Sequence, residues 1–135
     1  MPNLFESFVA EWLKQNVPEY ISVIDQHKVN LNPDGSLSFR IDIVLRDNLR
    51  NKTLCVLDTK YKINENPNES DIAQITAYAA EQKCDHGFLI YPSSHVKETS
   101  AFPGNIKINT LVFDISKNID ESGNNFLKSL LNKLN

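Results

Sequence analysis

Long apolar runs, glycine-rich loops, paired cysteines and an excess of basic residues are all missing from this chain. No apolar run approaches the roughly 18 residues of a membrane span, and charges come too early at the N-terminus for a signal peptide. The four glycines form no phosphate-binding loop, so any nucleotide hydrolysis would belong to a partner. Cys55 and Cys84 lack CxxC spacing, which predicts free thiols in a reduced, cytoplasmic protein. His27, His86 and His95 are scattered without metal-ligand spacing, and no serine or cysteine has a base beside it in the pattern. A Ser-His or Cys-His hydrolase is excluded on that ground. With 14 Lys and Arg against 17 Asp and Glu, the net charge of −3 excludes a protein that holds nucleic acid by bulk basicity. A nucleic-acid enzyme stays open, because a metal ion or a partner can supply the positive charge.

What is present suits one compact domain over residues 1–135, long enough for a real core. No linker, repeat or low-complexity segment interrupts it. Residues 3–16 (NLFESFVAEWLKQN) place Leu4, Phe5, Phe8, Val9, Trp12 and Leu13 at helical spacing, with Asn3 as cap and Glu6 three residues on. Residues 20–31 and 36–46 read as strands joined by the turn NPDG. In the second, Leu37, Phe39, Ile41, Ile43 and Leu45 alternate with Ser38, Arg40, Asp42, Val44 and Arg46. A polar loop, DNLRNK, leads to a third strand, TLCVLDTKYK, over 53–62. Next come an alanine-rich helix over 70–82, a fully apolar strand over 86–92, a loop, a strand over 106–115 and a closing helix around Phe126–Leu134. A parallel pairing of the 86–92 strand with the LCVLDTK strand is expected from the intervening helix. The fold class is α/β, with a central mixed sheet of about five strands flanked by helices.

The chemistry gathers in LCVLDTKYK, where an apolar strand turns to Asp58 and Lys60 on one face. With the hairpin centred near residues 49–50, Asp42 lies almost opposite Asp58. Opposed Cβ atoms sit about 4.5–5.5 Å apart, where two carboxylates repel and each is costly to bury. A divalent cation between them removes both difficulties. Hard carboxylate oxygens suit Mg²⁺, and Lys60 could orient a metal-activated water and stabilise charge on a phosphate. Ordinary cross-strand charge pairs, Asp42 with Arg40 and Asp58 with Lys60 or Lys62, explain the same residues on spacing alone. On the helix that follows, Asp71, Gln74 and Tyr78 share a face. Arg46, Arg50, Lys52 and Lys62 gather around the second hairpin and strand end, either as a solvated turn or as phosphate contacts.

RIDIVL, LCVLDTKYK, DIAQITAYA and FLIYP together resemble the PD-(D/E)xK nuclease core, and more narrowly the nuclease domain of the McrC family. LFESFVAEWL is similar to that family's opening helix, and Ile41 stands where the family usually has proline. The resemblance covers about residues 4–92 and implies a restriction-endonuclease-like fold. It implies Asp42 and Asp58 as acidic metal ligands, Lys60 as the catalytic lysine, and Glu6 and the Thr59 carbonyl as further metal contacts. The Thr59 side chain is expected on the opposite face. Glu6 reads equally as a capping or solvent-facing glutamate, and Tyr78 as a half-buried core aromatic. Gln74 and Tyr78 match a Q-x-x-x-Y pattern that lines the DNA side of related sites. The implied cofactor is Mg²⁺, with Mn²⁺ as substitute. The implied partners are DNA and a GTP-hydrolysing AAA+ ring subunit, with a homodimer open and no membrane. The implied function is cleavage of DNA in a modification-dependent restriction system, an antiviral defence. Full family members also carry an N-terminal region. The alternative is a nuclease-fold module that docks DNA or a GTPase without cutting.

Overall fold

The computed structural model describes residues 3–61, 67–93 and 99–135. The elements are α1 (Leu4–Asn16), β1 (Ile21–Asn30), β2 (Ser38–Asp47), β3 (Lys52–Thr59), α2 (Glu69–Glu81), β4 (His86–Tyr91), β5 (Ser100–Ala101), β6 (Lys107–Val112) and α3 (Ile119–Leu134). They form one mixed sheet in the order β1-β2-β3-β4-β6-β5. The meander β1-β2-β3 is antiparallel, β3 and β4 are parallel across α2, and β6 runs parallel to β4. This mixed α/β architecture is compatible with a restriction-endonuclease-like fold. Among the described residues, no helix is long and apolar enough to cross a membrane.

Each helix starts where its cap residue allows. Asn3 accepts the Glu6 backbone N–H at 2.7 Å, and Asn68 and Asp71 form a reciprocal capping box on α2. The sheet is covered on both sides. Phe5, Val9, Trp12 and Leu13 of α1 and Phe126 and Leu130 of α3 pack on Ile43, Leu45, Cys55, Leu57, Phe88 and Ile90. On the other side Ile75, Tyr78 and Ala79 of α2 pack on Val44, Val56, Leu89 and Ile108. Strand β4 is buried at all six positions, as a central strand between two helical layers must be. Gly87 there leaves no room for a side chain: a Cβ would lie 2.8 Å from Ile75 and 2.9 Å from Ile108, so α2 sits close on the sheet.

Four expectations are corrected. The sheet has six strands, because Ser100 and Ala101, within the segment read as a loop, pair with Asn109 and Ile108. Strand β3 stops at Thr59, so Lys60 follows the strand end, although its N–H still donates to the Ile90 carbonyl at 2.8 Å. The closing helix starts at Ile119 rather than near Phe126. The stretch IDESGNN hides that start, because its polar residues and glycine carry little helical signal. Tertiary packing supplies what propensity lacks: Gly123 lies flat against Trp12, where a Cβ would come within 2.3 Å of the indole ring.

The fourth correction bears on the site. The regular alternation read for β2 breaks at Asp42. Ile43 and Leu45 pack with α1 and α3, whereas Ile41 and Phe39 pack with α2. Alternate residues of an undistorted strand would share one face. The neighbouring strand changes over at the same level: Ile21 and Val23 pack on the α1 side and Val29 on the α2 side. Between them Gln26 adopts φ 54°, in the left-handed region, while the pairs on either side keep one register, Asp25 with Ile43 and His27 with Ile41. The two-stranded ribbon therefore bends as a unit and wraps its far end over α2, where Phe39 stacks on Tyr78 at 4.8 Å.

Gly123→Ala is expected to destabilise the fold by about 3 kcal/mol, since the indole of Trp12 is too rigid to yield. Thermal unfolding measures this, and an unchanged Tm would contradict the packing described.

Candidate active site

The bend places Asp42 where β2 and β3 part. Near the hairpin turn Asp47 pairs with Lys52 and Arg46 with Thr53, but the next pair is Leu45 with Cys55. Leu54 is thus an extra residue, a β-bulge. It advances β3 by one position, so that Ile43 faces Leu57 and the next pair in line is Asp42 with Asp58. Without the bulge Asp42 would face Leu57. The regular ladder ends there, and the Asp42 carboxylate takes up the backbone group left over: Oδ2 accepts the Thr59 N–H at 2.9 Å. It also accepts the Thr59 hydroxyl at 3.0 Å. This corrects the expectation that the Thr59 side chain points away from the acidic residues. Asp42 leans across the opening between the strands and reaches the Thr59 side.

The carboxyl groups of Asp42 and Asp58 are hydrogen-bonding neighbours, and Asp58 is 8% exposed. Both are pushed up to about 6. Burial is the main cause for each; the next is Glu6 for Asp42 and the charge of Asp42 for Asp58. Lys60 Nζ lies 2.7 Å from Asp58 Oδ2 and 3.1 Å from Asp71 Oδ1. Burial by itself would push this ammonium down, but the two carboxylates outweigh it and hold it above its ordinary value.

The α2 face completes that side. Gln74 Nε2 donates to the Tyr78 hydroxyl at 2.9 Å, and Tyr78 is raised first by burial and then by the charge of Asp58. Gln74 is exposed and Tyr78 is buried against Phe39, so the aromatic is both core and site wall. Glu6 comes from α1 on the other side of the sheet. It is 5% exposed, lies beside Asp42, and its Oε1 accepts the Gln26 side-chain N–H. A purely solvent-facing glutamate is ruled out by that burial.

The structure therefore brings together Glu6, Asp42, Asp58, Thr59, Lys60, Gln74 and Tyr78. It also adds Asp71 and Gln26, which sequence reasoning did not assign to the site. Asp71 carried a signal, since it precedes Gln74 by three residues on one helix face. Gln26 carried none, because its strand reads as regular. Arg46, Arg50 and Lys52 of the basic cluster are not part of the site. Arg46 bonds Thr53 and Asn51, and Arg50 sits 3.9 Å from Asp47 within the hairpin turn. That turn is at the opposite end of β3 from Asp58, about 20 Å away at strand rise. Lys62 and His95 lie outside the described residues.

Oxygen donors suit a hard divalent cation, and the repulsion between two neighbouring acids, both largely shielded from water, is what such an ion would relieve. Among the described residues, no three His, Cys, Asp or Glu side chains already form a metal cage. The fit is to an ion that keeps most of its waters.

Because both carboxyls rise from 3.8 to about 6 on folding, the folded chain retains protons that the unfolded chain releases in that interval. Their stabilising contribution is full below about pH 4 and is lost as pH rises through 6, on the order of 3 kcal/mol for each carboxyl. In EDTA the protein is expected to melt higher at pH 5 than at pH 7.5, and Asp58→Asn to flatten the difference. Parallel pH profiles for the two proteins would contradict the assignment.

The profile of the McrBC 5-methylcytosine restriction system component family matches residues 1–92, which includes every residue of this site. No curated protein matches the chain. The match covers α1 with Glu6, the bent hairpin with Asp42, the Asp58–Lys60 strand end, α2 and β4, while β6 and α3 lie beyond it. The chain belongs to the McrBC 5-methylcytosine restriction system component family.

Proposed function

We propose that this chain is a metal-dependent DNA endonuclease domain of the PD-(D/E)xK type that hydrolyses phosphodiester bonds. The observation that carries the reading is the acid pair of half-buried Asp42 and buried Asp58 at the parting of β2 and β3, with Lys60 2.7 Å from Asp58. A structural ion pair needs one acid and one base. This site has more negative charge than its lysine can neutralise, which a catalytic cation would use.

Asp42 and Asp58 would hold Mg²⁺ or Mn²⁺, with Glu6 and the Thr59 carbonyl beside them. When bound, the ion supplies Lewis acidity and lowers the pKa of coordinated water. The Thr59 N–H and hydroxyl hold Asp42 in place by occupying Oδ2. Lys60 stays protonated, so it acts by donating hydrogen bonds to the attacking water or to a phosphate oxygen, not as a base. Water attacks phosphorus in line and the bond to the 3′ oxygen breaks, leaving a 5′-phosphate and a 3′-hydroxyl. The Tyr78 hydroxyl, neutral at working pH, and Gln74 line the helix side, where the sugar-phosphate backbone would lie.

The net charge of −3 and the self-paired hairpin arginines leave DNA capture to other parts of the assembly. A GTP-hydrolysing ring subunit of the McrB kind would fill that role, as the family membership suggests.

Plasmid nicking by the purified chain with Mn²⁺ tests the reading, alongside Asp58→Ala and Lys60→Ala. Wild-type cleavage with at least a hundredfold loss in each variant is the expected result, since Asp58→Ala removes a ligand of the ion and Lys60→Ala a donor to the developing charge (roughly 3 kcal/mol or more). Equal cleavage by all three proteins would remove the assignment. If none cleaves even with a ring GTPase present, the chain is a docking module.

A further inference from the structure

Lys60 is held by two anions, and only one of them belongs to the acid pair. Its ammonium bridges Asp58 Oδ2 at 2.7 Å and Asp71 Oδ1 at 3.1 Å, with the Lys60 and Asp71 side chains each 22% exposed. Asp71 is itself fixed from two directions. Its Oδ2 accepts the Asn68 N–H at 3.2 Å, and its own N–H donates to Asn68 Oδ1 at 2.9 Å. The carboxylate therefore belongs to the first turn of α2, which close packing at Gly87 seats firmly on the sheet.

A lysine whose sole partner was Asp58 would face a conflict. A cation arriving at Asp58 would have to displace the ammonium, and a displaced lysine on a flexible stem is lost to solvent. A second carboxylate on a rigid helix turn removes the conflict, because Lys60 can release Asp58 and remain within reach of it.

We propose that Asp71 is a positioning residue that anchors the Lys60 ammonium to the first turn of α2, keeping it beside Asp58 when that carboxylate turns to a cation. The anchoring rests on the geometry at Lys60; its use during cation binding rests on the proposed function. Through this contact the seating of α2 sets the position of Lys60, and Asn68 acts only through the cap.

The test separates the anchor from the cap and from the cation. Asp71→Asn keeps an oxygen for the Asn68 N–H but loses the charge on Lys60, whereas Asn68→Ala breaks the cap and spares the Lys60 contact. In metal-free protein at low temperature, the Lys60 ammonium should give a separate ¹H–¹⁵N signal, assigned by its absence in Lys60→Met. That signal is expected to shift or vanish in Asp71→Asn and to persist in Asn68→Ala. An unchanged signal in Asp71→Asn overturns the proposal.

Calorimetric titration with Mn²⁺ then compares wild type, Asp71→Asn, Lys60→Met and the double variant. Freed from Asp71, the ammonium pairs with Asp58 alone and competes with the ion, so Asp71→Asn should weaken Mn²⁺ binding roughly three- to tenfold. In the Lys60→Met background the same change should have no effect. Equal weakening in both backgrounds would mean that the Asp71 charge attracts the ion directly, which overturns the proposal. If wild type binds no Mn²⁺ while the Lys60 signal responds to Asp71→Asn, the cation site fails and the anchoring stands.

Discussion

Two carboxylates held side by side out of water repel each other, and the structure around Asp42 and Asp58 is organised by how that repulsion is met. Hydrogen bonds from the Thr59 N–H and hydroxyl take one oxygen of Asp42. The Lys60 ammonium takes one oxygen of Asp58. What remains is too little to hold both groups at their ordinary acidity, so both rise to about 6. A fold selected for stability alone would have placed one apolar residue there. The acid pair sits at the parting of two strands, where the Thr59 N–H leaves the ladder for Asp42 and side chains from both helical layers reach the site.

Two distortions of the sheet create that opening. The extra residue Leu54 sets the β2-β3 register so that the two acids come level. The left-handed Gln26 marks the bend at which both strands of the β1-β2 ribbon change the face they present to the core. The same residue holds Glu6, so one strained position shapes the strand and orients an acid from the helix on the far side. The two helical layers then contribute separately: α1 brings Glu6, and α2 brings Asp71, Gln74 and Tyr78. Close packing at Gly87 keeps α2 tight on the sheet and close packing at Gly123 keeps α3 tight on α1, since neither position has space for a methyl group.

Much of this was legible beforehand where the pattern was local. The apolar spacing from Leu4 to Leu13 gave α1, the NPDG turn gave the first hairpin, and the uniform apolar run HGFLIY marked a strand buried on both faces. Asp58 and Lys60 announced themselves as charges at the end of an apolar strand. The N-terminal half of α3 was not legible, because IDESGNN becomes helical against Trp12 rather than through its own propensity. The side-chain direction of Thr59 was not legible either, since strand alternation takes no account of a carboxylate leaning across a gap.

The sequence by itself determined the order of the main elements, the apolar face of each helix and the residue types able to do the chemistry, because these follow from periodicities of two and 3.6 that each segment carries alone. The hairpin already set Asp42 almost opposite Asp58, but only the tertiary structure decided their exact register and which other residues meet them. A bulge at Leu54, a bend at Gln26 and the seating of α2 through Gly87 are relations between segments, and no single segment encodes them. Asp42 is level with Asp58, Glu6 reaches it from the other layer, and Lys60 finds Asp71 only because strands and helices far apart in the chain pack at one fixed register.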